Sequence, residues 1–429
     1  MNTKVFYSIF IQQNQAFTTD TRKVSAGDIY FALKGANFNG NTFAQQALDA
    51  GAEYVVVDEE VEVSSPTKVV KVNNVLSFMQ ALATHHRRQF TCPVLAVGGS
   101  NGKTTTKELL TAVLSQKFTV HATPGNFNNH IGVPISLLQA PLNANFLIIE
   151  IGTNNFGEIK FLSELVEPSC GLLTNIGKEH LEGFGDIEGV AKEESELYSY
   201  LLKSGGLTFV NANDSYLIRM AHRLSIKQSY GVDKEGIDFN FTLNQSFPNV
   251  VLSHNDNKYE AAISGDHNAQ NVAAATTVAL HFGLNYSEIK KGLQGYKPSN
   301  NRSEIRIVGS NTFILDAYNA NPSSMEAAIN AFDLLNQSNR LVILGDMFEM
   351  GKTSVEEHKR IIELLLTKND LPFILAGLAF QTAAQSFDIE SFKDVDEVIE
   401  NLKSQPLQDH WILVKGSRGM KMERVVEAF

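Results

Sequence analysis

Cysteine is almost missing from this chain: Cys92 and Cys170 are the only two in 429 residues. They cannot make a disulfide framework or a metal-ligating Cys pattern, and a reducing compartment is their natural setting. Long apolar runs are missing too. None approaches the roughly 18 residues of a membrane span, and the N-terminal MNTKVFYSIFIQQ is broken by Gln12 and Gln13 too early for a signal peptide. A cytoplasmic protein without membrane insertion is therefore expected. Positive charge is also scarce. The 36 Lys and Arg against 47 Asp and Glu give a formal charge of −11, which argues against a nucleic-acid surface. An acidic protein that handles phosphates must gather its cations locally.

What is present reads as an ordinary globular chain, 43% hydrophobic and 19% charged. It is too long for one core, and about three domains are expected at roughly 150 residues each. Residues 1–88 mix short apolar strands (29–33, 54–57, 69–72) with a helical stretch at 43–50 and end in His85-His86-Arg87-Arg88. From Pro93, strands at 94–97, 118–121, 146–151, 171–174 and 207–211 alternate with helical patterns, the signature of a mostly parallel sheet. Phe239, Phe241 and Leu243 alternate with polar neighbours and predict an antiparallel addition. A Pro/Asn/Ser-rich break, KPSNNRSE from Lys297, marks the next boundary. Beyond it, strands at 313–315, 341–344, 373–375 and 412–414 form a second, smaller α/β domain.

The stretch VGGSNGKTTTKELL from Val97 carries Gly-Lys-Thr, yet the usual G-x-x-x-x-G-K-[ST] loop would need a glycine where Val97 stands. Strand, glycine turn and helix nevertheless follow in order. Loop amides and the helix N-terminus would face an anion, Lys103 would reach the outer phosphates, and the Thr104 hydroxyl would serve Mg²⁺. The plainer alternative is a glycine-rich turn capping an αβ unit. Glu150 ends a buried strand, where a magnesium-coordinating acid belongs; otherwise it is a strand-terminal carboxylate facing solvent. His180 lies in TNIGKEHLEGFG, a loop dense in glycine and ionisable groups at a strand's C-terminal end, where α/β sites are built. The phosphate loop alone leaves kinase, GTPase and ligase open. A nucleotide-binding switch without catalysis would keep that loop but need not keep Glu150, His180 and Asp316 together.

With these segments in view, the chain resembles the Mur ligase family, ATP-dependent amide-forming enzymes of peptidoglycan precursor synthesis. Gly99 to Thr104 match its compressed loop G-[TS]-[NS]-G-K-[TS]. Residues 20–24 with 27–33 are similar to its uridine-nucleotide-binding domain, TPGNFNN from Thr123 to its substrate-facing loop, and GDHN from Gly265 with Asn271 to its adenine-side helix. DAYNANP from Asp316, LGDMFEMG from Leu344 and VKGSRG from Val414 resemble the D-alanyl-D-alanine-adding branch rather than those adding diaminopimelate, lysine or D-glutamate, or a folylpolyglutamate synthetase.

The resemblance implies an α/β protein of three domains. These are a small N-terminal uridine-nucleotide-binding domain at 1–88, a central P-loop ATPase-like domain with a mostly parallel sheet at 89–299, and a C-terminal Rossmann-like α/β domain at 300–429. It implies ATP and Mg²⁺ as cofactors, UDP-N-acetylmuramoyl-tripeptide and D-alanyl-D-alanine as substrates, and a monomer. The third residue of the tripeptide stays open between lysine and diaminopimelate. Implied ATP contacts are Gly99, Ser100, Asn101, Gly102, Lys103, Thr104, Thr105, Asn268, Asn271, Arg302, Asp316 and Asn319. Implied substrate contacts are Thr21, Arg22, Asn126, Asn128 and Asn129; implied metal ligands are Thr104, Glu150 and His180. Lys103, Glu150, His180 and Glu194 are the expected catalytic groups. One position departs from the family. Its Ala-x-x-Lys-x-Glu string carries a carbamylated lysine, and here the matching residues are Ala191-Lys192-Glu193-Glu194-Ser195-Glu196, with Glu194 at the lysine's place. Glu194 is expected to supply the carbamate's anionic oxygens permanently. The alternative is a solvated Glu194 and a modified Lys192, about 200° away around a helix.

Overall fold

Strands covered on both faces require unbroken apolar runs, and Ile29–Phe31 and Tyr54–Val57 supply them near the N-terminus. The computed structural model describes residues 2–298 and 301–429; the boundary expected at 299–300 lies outside them. β1 (Phe17–Thr18) and β2 (Ile29–Phe31) are followed by a separate ribbon, β3 (Lys34–Gly35) and β4 (Phe38–Asn39). β5 (Tyr54–Val57) and β6 (Val69–Lys71) complete a parallel sheet ordered β1-β2-β5-β6. The helix Thr3–Gln12 buries Phe6 and Phe10, and the helix Val75–Arg87, capped by Asn74, buries Phe78, Met79, Leu82 and His86 on one face. The ring of Phe6 meets that of Phe78 edge-on at 5.2 Å.

The central sheet holds β7 (Val94–Gly98), β8 (Val120–Ala122), β9 (Phe146–Glu150), β10 (Cys170–Leu173), β11 (Leu207–Asn211), β12 (Lys227–Val232), β13 (Phe239–Gln245), β14 (Val250–His254) and β15 (Asn257–Ala261), ordered β15-β14-β13-β12-β11-β10-β7-β9-β8. From β8 to β13 all neighbours are parallel. The expected antiparallel addition therefore starts one strand later than the alternation of Phe239, Phe241 and Leu243 suggests. β13 pairs parallel with β12 and antiparallel only with β14. Alternation reports one buried face, not the direction of a neighbour. β7 sits between β9 and β10, so the loop after it opens where connections leave to either side, the crevice in which α/β sheets bind ligands.

Two glycines shape that loop. Gly99 (φ 104°) has no room for a side chain, since a Cβ would stand 2.5 Å from Thr174 Oγ1. Gly102 (φ 82°) precedes the helix Lys103–Leu114, and its Cβ would stand 2.6 Å from Asn271 Oδ1. Both also need the left-handed backbone that glycine alone adopts freely.

The last sheet holds β16 (Glu304–Val308), β17 (Asn311–Asp316), β18 (Arg340–Gly345), β19 (Phe373–Ala376) and β20 (Trp411–Lys415) in the order β16-β17-β20-β18-β19. Only β16 is antiparallel. Neither β16 nor the helix Thr3–Gln12 was expected from sequence, while the strands that were expected start and end within two residues of their observed limits. The Phe6 and Phe10 side chains share one continuous core with Val94, Leu137, Leu147 and Leu197 of the central domain. The C-terminal sheet has its own cores on its two faces. No described helix is long and apolar enough to cross a membrane.

Candidate active site

The loop at the end of β7 is held from below and from one side. Gly99 N–H donates to Glu194 Oε2 at 3.0 Å. Ser100 N–H donates to the Asn175 carbonyl at 2.8 Å, and Asn101 N–H to Asn175 Oδ1 at 3.1 Å. Lys103, first residue of the helix, folds back so that its ammonium donates to the carbonyls of Gly99 and Ser100 and lies 3.5 Å from Glu179 Oε2. Burial disfavours that ammonium, yet Glu179, Glu194 and Glu150 outweigh it and hold its pKa above the ordinary lysine value. Three carboxylates with little or no exposure thus surround one cation: Glu150 at 1%, Glu179 at 5% and Glu194 at 0%.

Glu150 ends β9 facing the protein, not solvent. Its Oε1 accepts from Thr104 Oγ1 at 3.1 Å and from Asn128 Nδ2 at 2.9 Å. Glu179 Oε1 and Glu194 Oε1 are buried without a hydrogen-bond partner, and Glu150 Oε2 has none beyond the ion-pair contact of the Lys107 ammonium at 3.3 Å. Hard oxygen donors left unsatisfied in this way fit a divalent cation such as Mg²⁺. Among the described residues no three His, Cys, Asp or Glu side chains gather to cage an ion alone. His180 is drawn elsewhere: Nδ1 lies 2.6 Å from Glu349 Oε2 of the C-terminal domain and Nε2 3.9 Å from Glu179.

The helix Ile187–Ser204 separates the two readings of its glutamates. Glu194 points under the phosphate loop, and burial pushes its carboxyl pKa up to about 8 despite the pull of Lys103 and the Gly99 N–H. Lys192 is exposed and lies over the Phe156 ring at 5.4 Å. Glu193 accepts from Gly157 N–H at 2.8 Å and Ile159 N–H at 2.7 Å, capping the helix Glu158–Val166. Of these three neighbouring ionisable side chains, only Glu194 reaches beneath the phosphate loop.

Across a cleft of about 630 Å³ stands the C-terminal sheet. Asp316, at the end of β17, pairs with Lys415 of β20 at 2.6 Å. Burial opposes the Asp316 charge, but the Lys415 ammonium holds its pKa below the ordinary aspartate value. The Arg302 guanidinium stacks on Tyr318 at 3.6 Å. On the helix Asp266–His281, Asn271 Nδ2 donates to Asn268 Oδ1 at 2.9 Å, while its Oδ1 accepts from Thr106 Oγ1 at 3.1 Å.

The cleft gathers Ser100, Asn101, Gly102, Lys103, Thr104, Thr105, Asn126, Asn128, Asn129, Glu150, His180, Asn268, Asn271, Arg302, Asp316 and Asn319. Gly99 and Glu194 lie beneath it. Thr21 and Arg22 do not line it; Arg22 pairs with Asp20 at 2.8 Å on the surface of the N-terminal domain. Asn129 caps a turn, accepting from Gly132 N–H at 2.8 Å. Sequence reasoning gave no role to Glu179, Lys107, Lys415 or Glu349. Lys107 alone had a usable local signal, standing one helical turn from Lys103 on the same face.

Comparison with known proteins places these features together. Residues 15–89 match the model described as Mur ligase family, catalytic domain; residues 97–279 match Mur ligase middle domain; residues 301–418 match Mur ligase, glutamate ligase domain. The chain is 33% identical over 423 residues to the UDP-N-acetylmuramoyl-tripeptide--D-alanyl-D-alanine ligase of Bacillus subtilis, covering 95% of this chain and 92% of that one. Among solved structures it is similar to MurF from Acinetobacter baumannii, with TM-score 0.86, 28% identity and coverage of 98% and 97%. It is also similar to MurF ligase from Thermotoga maritima in complex with ADP, with TM-score 0.84, 26% identity and coverage of 97% of each chain.

Proposed function

The chain belongs to the Mur ligase family, and on that premise we propose that it joins D-alanyl-D-alanine to UDP-N-acetylmuramoyl-tripeptide at the expense of ATP. The observation that carries the reading is one cleft in which Lys103, Glu150 and Glu179 of the central domain face Asp316 and Lys415 of the C-terminal domain. Oxide is a poor leaving group, so the peptide carboxylate first attacks the γ-phosphorus of ATP, forming an acyl phosphate and releasing ADP. The amine of D-alanyl-D-alanine then attacks the acyl carbon, the C–O bond to phosphate breaks, and the ammonium proton is lost to solvent or base. Lys103 leaves its loop carbonyls for the transferring phosphoryl group, whose charge it stabilises. Thr104 and Glu150 would hold Mg²⁺, which would supply further charge neutralisation. Asn268 and Asn271 serve the adenine side, Arg302 the phosphates and Asp316 the ribose, with Asn319 a further ATP contact; Asn126, Asn128 and Asn129 face the acid substrate, with Thr21 and Arg22 toward its uridine end. His180 is assigned to a second metal, which requires it to leave Glu349.

Glu194 takes the place of the family's carbamylated lysine, a role supported by its burial and its unpartnered oxygen beneath the loop. The working division is 1–88, 89–299 and 300–429, in a monomeric, cytoplasmic enzyme. Phosphate release with UDP-N-acetylmuramoyl-tripeptide and a panel of amines tests the reading. D-alanyl-D-alanine should be required. Turnover of a dipeptide-bearing nucleotide with lysine or diaminopimelate, and none with D-alanyl-D-alanine, would overturn it.

A further inference from the structure

The helix Lys103–Leu114 presents a second lysine one turn beyond the first, and it does not reach the phosphate side. Lys107 is 2% exposed. Its ammonium lies 3.3 Å from Glu150 Oε2 and also donates to the carbonyl of Gly125. Gly125 belongs to the loop at 123–129, and the far end of that loop is tied to the same carboxylate, through Asn128 Nδ2 on Glu150 Oε1 at 2.9 Å. Its near end is tied to the same residue's backbone, because Glu150 N–H donates to Thr123 Oγ1 at 3.0 Å. Thr104 shares Oε1 from the nucleotide side.

A buried ammonium without a partner costs several kcal/mol, and Glu150 alone would answer that need. The bond to a loop carbonyl is extra, and it makes Lys107 a third tie between Glu150 and the 123–129 loop, the one made through a cation and the loop backbone, beside those of Thr123 and Asn128.

We propose that Lys107 is a positioning residue that couples the nucleotide side of Glu150 to the 123–129 loop, so that Mg·ATP and the UDP-linked acid substrate strengthen each other's binding. Charge drawn from Glu150 on its Thr104 side weakens the hold of Oε2 on the ammonium. The Gly125 carbonyl then becomes the stronger partner, which tightens the loop. Binding coupled through one shared element is reciprocal. The inference rests on the ligase reading above.

Calorimetric titration of the full chain with UDP-N-acetylmuramoyl-tripeptide, without nucleotide and with saturating Mg²⁺ and a non-hydrolysable ATP analogue, gives the ratio of the two dissociation constants. The native ratio should be roughly tenfold, fall to about one in Lys107→Met, and return in Lys107→Arg, which keeps the charge. A purely structural ion pair would lower the Tm of Lys107→Met and leave the ratio untouched. Because that variant strands Glu150 and can fail to fold, amide exchange in the native chain gives an independent reading: Mg·nucleotide alone should slow exchange across 123–129 several-fold. Unchanged exchange there, a native ratio of one, or a tenfold ratio kept in Lys107→Met overturns the coupling alone. Native protein that binds neither ligand overturns the ligase reading, and this inference with it.

Discussion

On its N-terminal side the central domain shares an apolar core with its neighbour, whereas on its C-terminal side it meets its neighbour largely through polar contacts. The first junction buries Phe6, Phe10 and Phe78 with Leu137 and Leu147 in one cluster. At its edge His86, fully buried, bonds Tyr7 Oη at 2.8 Å and the Ala140 carbonyl at 2.8 Å; burial keeps its pKa below the ordinary histidine value. The second junction includes Asn321 Nδ2 on Asn101 Oδ1 at 2.9 Å, Lys178 N–H on Ser323 Oγ at 3.0 Å, Asn268 Nδ2 on Ser303 Oγ at 3.3 Å, Lys178 with Glu357 at 2.5 Å and His180 with Glu349 at 2.6 Å. One aromatic contact, Phe247 against Trp411 at 5.1 Å, accompanies them. Parting an apolar core exposes it to water, while polar contacts exchange for water at a net cost of about 1 kcal/mol each. If the third domain closes over ATP, the second junction is where movement costs least, and the first two domains would form the fixed body.

If the fixed body supplies the chemistry, its charged groups should give the largest losses. Lys103→Ala and Glu194→Ala should each cost on the order of 10² or more in rate, a few kcal/mol of transition-state stabilisation, with Lys192→Ala nearly silent and activity indifferent to bicarbonate. Activity that depends on bicarbonate and disappears in Lys192→Ala would remove Glu194 from the site. Next in size, Phe10→Ala should destabilise the shared core by about 3–5 kcal/mol. In denaturant the N-terminal and central sheets should then be lost in one transition; separate transitions would show that the junction is not a single core.

Lys178→Ala, at the second junction, should cost less stability than Phe10→Ala, because Arg360 at 3.4 Å still pairs the Glu357 carboxylate, while lowering kcat several-fold through poorer closure. A stability loss as large as that of Phe10→Ala would erase the distinction between the junctions. The smallest effect is expected from acid. The hydrogen bond from His180, more than the opposing burial, holds the Glu349 pKa below the ordinary glutamate value. A depressed carboxyl contributes stability that is present above its unfolded pKa, about 4.3, and is lost as pH falls through the folded one. Small-angle scattering should show the C-terminal domain loosening below about pH 4.3, and Glu349→Gln should flatten that dependence. A dependence unchanged in Glu349→Gln would assign it to another group.

The fixed body was the more legible half. Gly99 to Thr104 carry their chemistry in consecutive residues, and Glu150 announces itself by ending an apolar strand. Glu194 was found only because a family string exposed a substitution, and its burial could not be read from a helix that also holds Glu193 and Lys192. The movable junction was opaque. Lys178 and Glu357 are 179 positions apart, and nothing local marks either as a partner. LGDMFEMG looked like part of a site, yet its Asp346 accepts from Ala379 N–H at 3.0 Å and Phe380 N–H at 2.9 Å, capping the helix Leu378–Ala384. There a motif marks a branch of the family through its architecture, while Glu349 three residues later touches the site.

The missing side chain of Gly102 has an evolutionary consequence. The space it leaves is already occupied by Asn271, whose Oδ1 would stand 2.6 Å from any added Cβ. Two segments far apart in the chain therefore drift under one constraint. The loop cannot gain a side chain at position 102 unless the helix Asp266–His281 yields an atom at 271 and the left-handed turn itself relaxes, so viable lineages should leave both positions alone or change them together with the turn.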